Sequence, residues 1–146
     1  MTDQASNPAQ DRIYETIEEL GRAIGAKDAE RVMSCYAPDA INFSLAPPLR
    51  SAPPDATYLE SWFATWDGPI GIEAKDLRIT ADGEIAMAAS LNRMTGVKTD
   101  GEMVDLRYRA TLGLRKIDGH WKIVHEHESM PFYMDGSYKA AIDLVP

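Results

Sequence analysis

Apolar positions recur at helical spacing through the first half of the chain and at strand spacing through the second. Asn7-Pro8-Ala9-Gln10 supplies a capping side chain, a proline at the first helical position and a Gln three residues past the cap. Ile13, Ile17, Leu20 and Ile24 follow every third or fourth residue, so a long helix buries that stripe, exposes Glu15, Glu18, Glu19 and Arg22, and stops at Gly25. Asp28 caps a shorter helix with Val32, Met33 and Tyr36 on its inner side, ended by Pro38. Residues 40–45 form a short β-compatible run that Ala46-Pro47-Pro48-Leu49 breaks. Asp55 then caps a third helix whose Leu59, Trp62, Phe63 and Trp66 make an aromatic stripe.

After Gly68-Pro69 the period changes to two. Turn signals at Asp82-Gly83, Asp100-Gly101 and Asp118-Gly119 divide the remainder into four antiparallel strands. In the first of these, Ile72 and Ala74 keep one parity while Leu77 and Ile79 keep the other, which predicts a β-bulge near Lys75-Asp76. Helices first and a curved meander after give an α+β fold in which three N-terminal helices cover one face of an antiparallel sheet. The 146 residues suit one domain over 1–146, with residues 1–10 as a flexible N-terminal arm.

Charge and composition narrow the partners. A net charge of -8 with scattered basic residues argues against nucleic acid or an anionic membrane surface. No stretch is long and apolar enough for a membrane span, and the start of the chain lacks a signal-like apolar core, so a cytoplasmic protein is expected. Cys35, without a second cysteine, reads as a core thiol in a reducing compartment.

Candidate chemistry concentrates in the last strand. Alternation puts Trp121, Ile123, His125, His127 and Ser129 on one face, which begins as packing surface and ends as two imidazoles and a hydroxyl. A two-residue turn at Asp118-Gly119 pairs Ile117 with His120, and that register sets Leu112 opposite His125, Ala110 opposite His127 and Tyr108 opposite Ser129. The other face then carries Arg109 across from Glu128 and Thr111 across from Glu126, an ionic surface or a dimer seam. Imidazoles can act as acid, base or ligand, although strand histidines also serve structure alone. His-x-His gives only two metal ligands; Asp39 or Glu60 would have to supply a third without any spacing signal, so no metal is expected.

Several stretches carry a family resemblance: Tyr36-Ala37-Pro38-Asp39, the segment Leu45-Ala46-Pro47-Pro48-Leu49-Arg50, Ser90-Leu91-Asn92-Arg93, Arg109-Ala110-Thr111, residues 115–119 and His125-Glu126-His127 through Phe132. Together they resemble the SnoaL-like branch of the nuclear transport factor 2-like, or ketosteroid isomerase-like, superfamily. The resemblance covers nearly the whole chain and implies a cone-shaped sheet, a deep apolar pocket beneath the helices and a homodimer formed through the outer sheet face. It also implies that standard steroid isomerisation is absent: the position of the general base falls on Ser44, and that of the oxyanion-donating tyrosine on Leu20, with Tyr14 about two turns away.

Two functions follow from this reading. One is a cofactor-independent lyase, isomerase or hydratase acting on an apolar carbonyl or polyketide-like compound. In it His125 or His127 is the base, Asp39 orients it, and Tyr108, Ser129 and Asn92 stabilise a developing oxyanion. Trp62, Phe63, Trp66 and Trp121 would line the pocket for the small apolar ligand, or fill a core. The other is an accessory or binding protein using the same pocket without turnover.

Overall fold

The computed structural model describes residues 7–146, so of the arm expected over 1–10, residues 1–6 lie outside the described residues. Pro8–Gln10 already form the first turn of α1 (Pro8–Gly25), whose Asn7 cap accepts from the backbone N–H of Ala9 and Gln10 at 3.1 and 3.4 Å. Two shorter helices follow, α2 (Ala29–Ser34) capped by Asp28 and α3 (Ala56–Phe63) capped by Asp55. The strands are β1 (Tyr36–Phe43), β2 (Trp66–Asp82), β3 (Ile85–Lys98), β4 (Met103–Ile117) and β5 (His120–Ser129).

These strands make one curved five-stranded sheet in the order β1-β5-β4-β3-β2, with β2 to β5 antiparallel as the turn signals imply and β1 added parallel to β5 at an edge. Here the second helix departs from expectation. It stops at Ser34, and Tyr36 opens the edge strand instead of closing the helix. Pro38 is tolerated inside β1 because an edge strand leaves one row of N–H groups unpaired. In β2 the register shifts between Lys75 and Arg78, where Asp76 has φ 54°, so the expected bulge is present.

The core lies between α1 and the concave face, built around Ile13, Ile70, Leu114 and Ile123, with Cys35, Phe63 and Trp121 also buried. Cys35 is a core thiol, and burial pushes its pKa up. Among the described residues no helix is long and apolar enough to cross a membrane.

A second bulge decides which residues face the helices. Register runs Ile117 to His120 and Leu114 to Ile123, then resumes with Gly113 opposite His125, Leu112 opposite Glu126 and Ala110 opposite Glu128. Val124 is therefore left without a partner, and the parity of β5 reverses beyond it. Trp121 and Ile123 point into the core before the bulge; Glu126 and Glu128 point inward after it.

Candidate active site

The concave face, α1, α3 and the loop over residues 44–55 enclose a cavity of about 930 Å³. Small side chains on the central strands, Ala88 and Ala110, leave the space that larger residues would fill. Ile17, Leu20, Ile70, Met94, Leu106 and Leu112 make its walls apolar, and Trp62 and Trp66 stand edge to face with ring centroids 5.8 Å apart. Polar groups gather at the β1–β5–β4 end: Glu126, Glu128, Tyr36, Asn42, Tyr108 and Asn92.

The bulge also corrects the histidine assignment. His125 and His127 lie on the opposite face of the sheet, each at 5.2 Å from the Phe43 ring in T-shaped contact, and neither lines the cavity. Phe43 pairs with His127 and Asn42 with Glu126, so β1 and β5 present the same alternation. Asp39 is exposed on β1, away from the cavity, and orients neither ring. Ser129 sits opposite Arg109, whose Nε donates to its hydroxyl at 3.0 Å, again outside the cavity. Consequently the expected pairs of Arg109 with Glu128 and Thr111 with Glu126 do not form. Phe63 and Trp121 are core residues and not cavity lining, whereas Trp62, Trp66, Tyr108 and Asn92 do reach the cavity. Ser44 and Leu20 also line it; the Ser44 hydroxyl donates to the Ala46 carbonyl at 3.0 Å, and Leu20 offers no donor.

Glu126 and Glu128 are the site residues that alternation along the sequence assigns to the other face, Tyr36 the one that helical spacing assigns to α2, and Asn42 the one the sequence leaves unassigned. The signal was Gly113, a glycine within a run of strand formers, which often marks a bulge on the paired strand. A Cβ on Gly113 would stand 3.2 Å from the His125 Cβ, so the glycine makes room for the displaced strand.

Electrostatics single out the carboxyl pair. The Tyr36 hydroxyl donates to Glu126 Oε2 at 2.9 Å. Burial pushes the Glu126 carboxyl up, against the pull of hydrogen bonds from Tyr36 and Glu128. Burial first, then the charge of Glu126 and the hydrogen bond to it, push Glu128 up to about 8. At neutral pH Glu128 keeps its proton beside the Glu126 carboxyl, and the two groups titrate as a pair. Burial foremost raises Tyr36 well above its ordinary value, with Glu126 adding to it, and raises Tyr108 as well. The cationic side chains on the cavity wall are engaged elsewhere. Arg22 lies 3.6 and 3.5 Å from Glu18 and Glu19, and Lys98 donates to the Thr65 hydroxyl at 2.9 Å while standing 4.0 Å over the Trp66 ring. Among the described residues no three His, Cys, Asp or Glu side chains cluster as metal ligands would.

Comparison with known proteins places this arrangement. The family model of a SnoaL-like domain matches residues 13–133. The chain belongs to the SnoaL-like family. An NTF2-like protein of unknown function from Pseudomonas putida is 32% identical over 97% of this chain and 99% of its own, with a TM-score of 0.84. At 14% identity, a candidate dehydratase of the NTF2-like family from Streptomyces avermitilis shares the fold over 84% of this chain and 95% of its own, with a TM-score of 0.72. So does the association domain of C. elegans CaMKII, at 17% identity over 84% and 95% of the two chains and a TM-score of 0.66. No curated protein is significantly similar in sequence to this chain. The SnoaL-like fold thus occurs in a candidate enzyme and in an assembly domain, and only the site can argue for one role over another.

Proposed function

We propose that this SnoaL-like protein is a small-molecule isomerase, lyase or hydratase that works without cofactor on an apolar carbonyl compound, with Glu126 and Glu128 in place of the histidines as base and acid. The supporting observation is the carboxyl pair at the polar end of an apolar cavity, raised by burial so that one member keeps its proton. Glu126, ionised, would take a proton from the carbon next to a substrate carbonyl. Glu128, protonated, would give its proton to the carbonyl oxygen, and the enol so formed would be reprotonated elsewhere or lose a leaving group. The hydrogen bond from Tyr36 at 2.9 Å fixes the orientation of Glu126, and Tyr108 and Asn92 stand on the wall beside the pair. The aromatic and aliphatic walls suit an apolar body, which on binding would displace water from the ionised base.

The test needs no known substrate. A panel of cyclic apolar ketones incubated with the protein in D2O should lose α-proton NMR signals faster than in buffer, and Glu126→Gln should return the rate to background. Exchange that is no faster than background across the panel, or unchanged in Glu126→Gln, overturns the assignment. The same reading takes the protein to be cytoplasmic and a homodimer through the outer sheet face, where Met87 is 53% exposed on the face that also carries Phe43 and the two histidines. Sedimentation at micromolar concentration, with Met87→Glu as the disrupting variant, tests the dimer.

A further inference from the structure

We infer that the polar end of the cavity is also a binding site for a hydrophobic primary ammonium, an alkyl or cycloalkyl amine whose apolar body occupies the cavity and whose N–H groups meet Glu126, Glu128 and Asn42. This goes beyond proton transfer, since it requires binding alone, but it uses the same cavity.

Two carboxyls two residues apart on one strand face, with Arg22 and Lys98 of the cavity wall engaged elsewhere, form an acceptor-rich end that lacks a counter-charge among the described residues. A shared proton neutralises half of it. An ammonium would neutralise more and would make charge-assisted hydrogen bonds to both groups. Asn42 adds an independent indication. It is 6% exposed, lies on the cavity wall in register with Glu126, and its side-chain oxygen is buried without a hydrogen-bond partner among the described residues. A buried acceptor left unpaired is costly, and a ligand with three donors can satisfy it together with the two carboxyls. Tyr36 and Tyr108, on the same sheet face as the carboxyls, and Trp62 of α3 also line the cavity, and aromatic rings attract a cation.

Binding an ammonium between two ionised carboxylates expels the proton they share. Other charged or titratable groups face the cavity from each side: Glu18 and Arg22 on α1, Asp55 and Tyr58 at α3, Lys98 and Glu102 beside the β3–β4 turn, and Tyr36 and Tyr108 on the sheet. A variant lacking only the two carboxyls separates their titration from that of the rest.

The experiment is isothermal titration with three probes of one shape, adamantylmethylamine, adamantylmethanol and adamantanecarboxylate. Near neutral pH the amine should bind at least about tenfold more tightly than the alcohol, and the carboxylate more weakly than either. Amine affinity should rise as pH climbs from about 6 to 8, with one proton released per amine bound, read from buffers of different ionisation enthalpy. The Glu126→Gln/Glu128→Gln double variant should bind amine no better than alcohol while keeping its alcohol affinity, which verifies that the cavity is intact. Equal binding of amine and alcohol, no binding of the amine, absence of proton release, or an amine preference that survives in the double variant overturns the proposal. Ketone exchange without amine preference sinks this inference alone, and amine preference without exchange sinks the catalytic reading alone.

Discussion

Ionising Glu128 in the folded protein places a second negative charge at the end of an apolar cavity, and Glu128→Gln removes that cost while keeping the shape of the side chain. Burial first and Glu126 second lift this carboxyl from its ordinary 4.5 to about 8. The folded protein therefore holds the proton more tightly than the unfolded chain does. Its stabilising contribution is complete below 4.5 and is lost as pH rises toward 8. At about 1.4 kcal/mol per tenfold change in proton affinity the ceiling on that loss is about 5 kcal/mol, and water in the cavity together with proton sharing brings the expected loss to about 2 kcal/mol. For a chain of this size about 2 kcal/mol corresponds to roughly 5–8 °C in Tm. Calorimetry from about pH 5.5 to 9, at fixed salt and protein concentration, avoids the acid range in which Glu19 and Asp105, both lowered by hydrogen bonds from arginines, contribute their own slope. The wild-type Tm should fall across this window and that of Glu128→Gln should fall less, by what the buried Glu126 contributes alone, so that the variant becomes the more stable protein at the alkaline end. A level wild-type profile, or a variant that falls as steeply, refutes the reasoning.

Tyr36→Phe removes the donor to Glu126 and should raise that carboxyl further, slowing ketone exchange at neutral pH by about tenfold and lowering stability by about 1–2 kcal/mol in urea unfolding. His125→Ala and His127→Ala should each leave exchange and amine affinity within roughly twofold of wild type, because both rings lie across the sheet from the cavity. If either histidine variant abolishes exchange, the carboxyl assignment fails. Gly96→Ala would set a Cβ 2.7 Å from Trp66 Cζ3 and push that ring into the cavity, destabilising by about 1–3 kcal/mol in urea unfolding and weakening binding of the adamantyl alcohol. A variant as stable as wild type would mean that the Trp66 ring has somewhere else to go.

Strong local periodicity made most of the fold legible. The cap at Asn7, the α1 stripe and the Asp-Gly turns each rest on local interactions that no distant contact overrides, and all three stand in the structure. The bulge at Lys75-Asp76 could be read because apolar residues on either side of it change parity in plain view. Tyr36 misled because its spacing from Val32 and Met33 fits a helix, while its actual place depends on pairing with β5, which lies nearly ninety residues away in sequence. Of the cavity residues, Trp62, Tyr108 and Asn92 could be placed from alternation within strands or helical spacing, whereas Trp66, expected on the third helix, opens β2 because that helix ends at Phe63. The carboxyl pair could not, because its placement hangs on one unpaired residue, Val124, whose place in the register no local pattern marks.

That residue, Val124, also explains why stability alone does not account for the site. An unbroken β5 would keep Trp121, Ile123, His125 and His127 on one face and leave Glu126 and Glu128 in solvent, where carboxylates are cheap to ionise. The bulge gives up ladder pairing at Val124 and moves two acids onto a cavity wall without a free cation, at a cost visible in the upward shift of both carboxyls. Only part of that cost is offset, by Tyr36 donating to Glu126 and by the proton the pair retains. Gly113, shaped to accept the displaced strand, shows that β4 accommodates the distortion. An arrangement that sacrifices pairing and buries charge, yet is supported from two neighbouring strands, is what a site under demand for acid and base in one place requires.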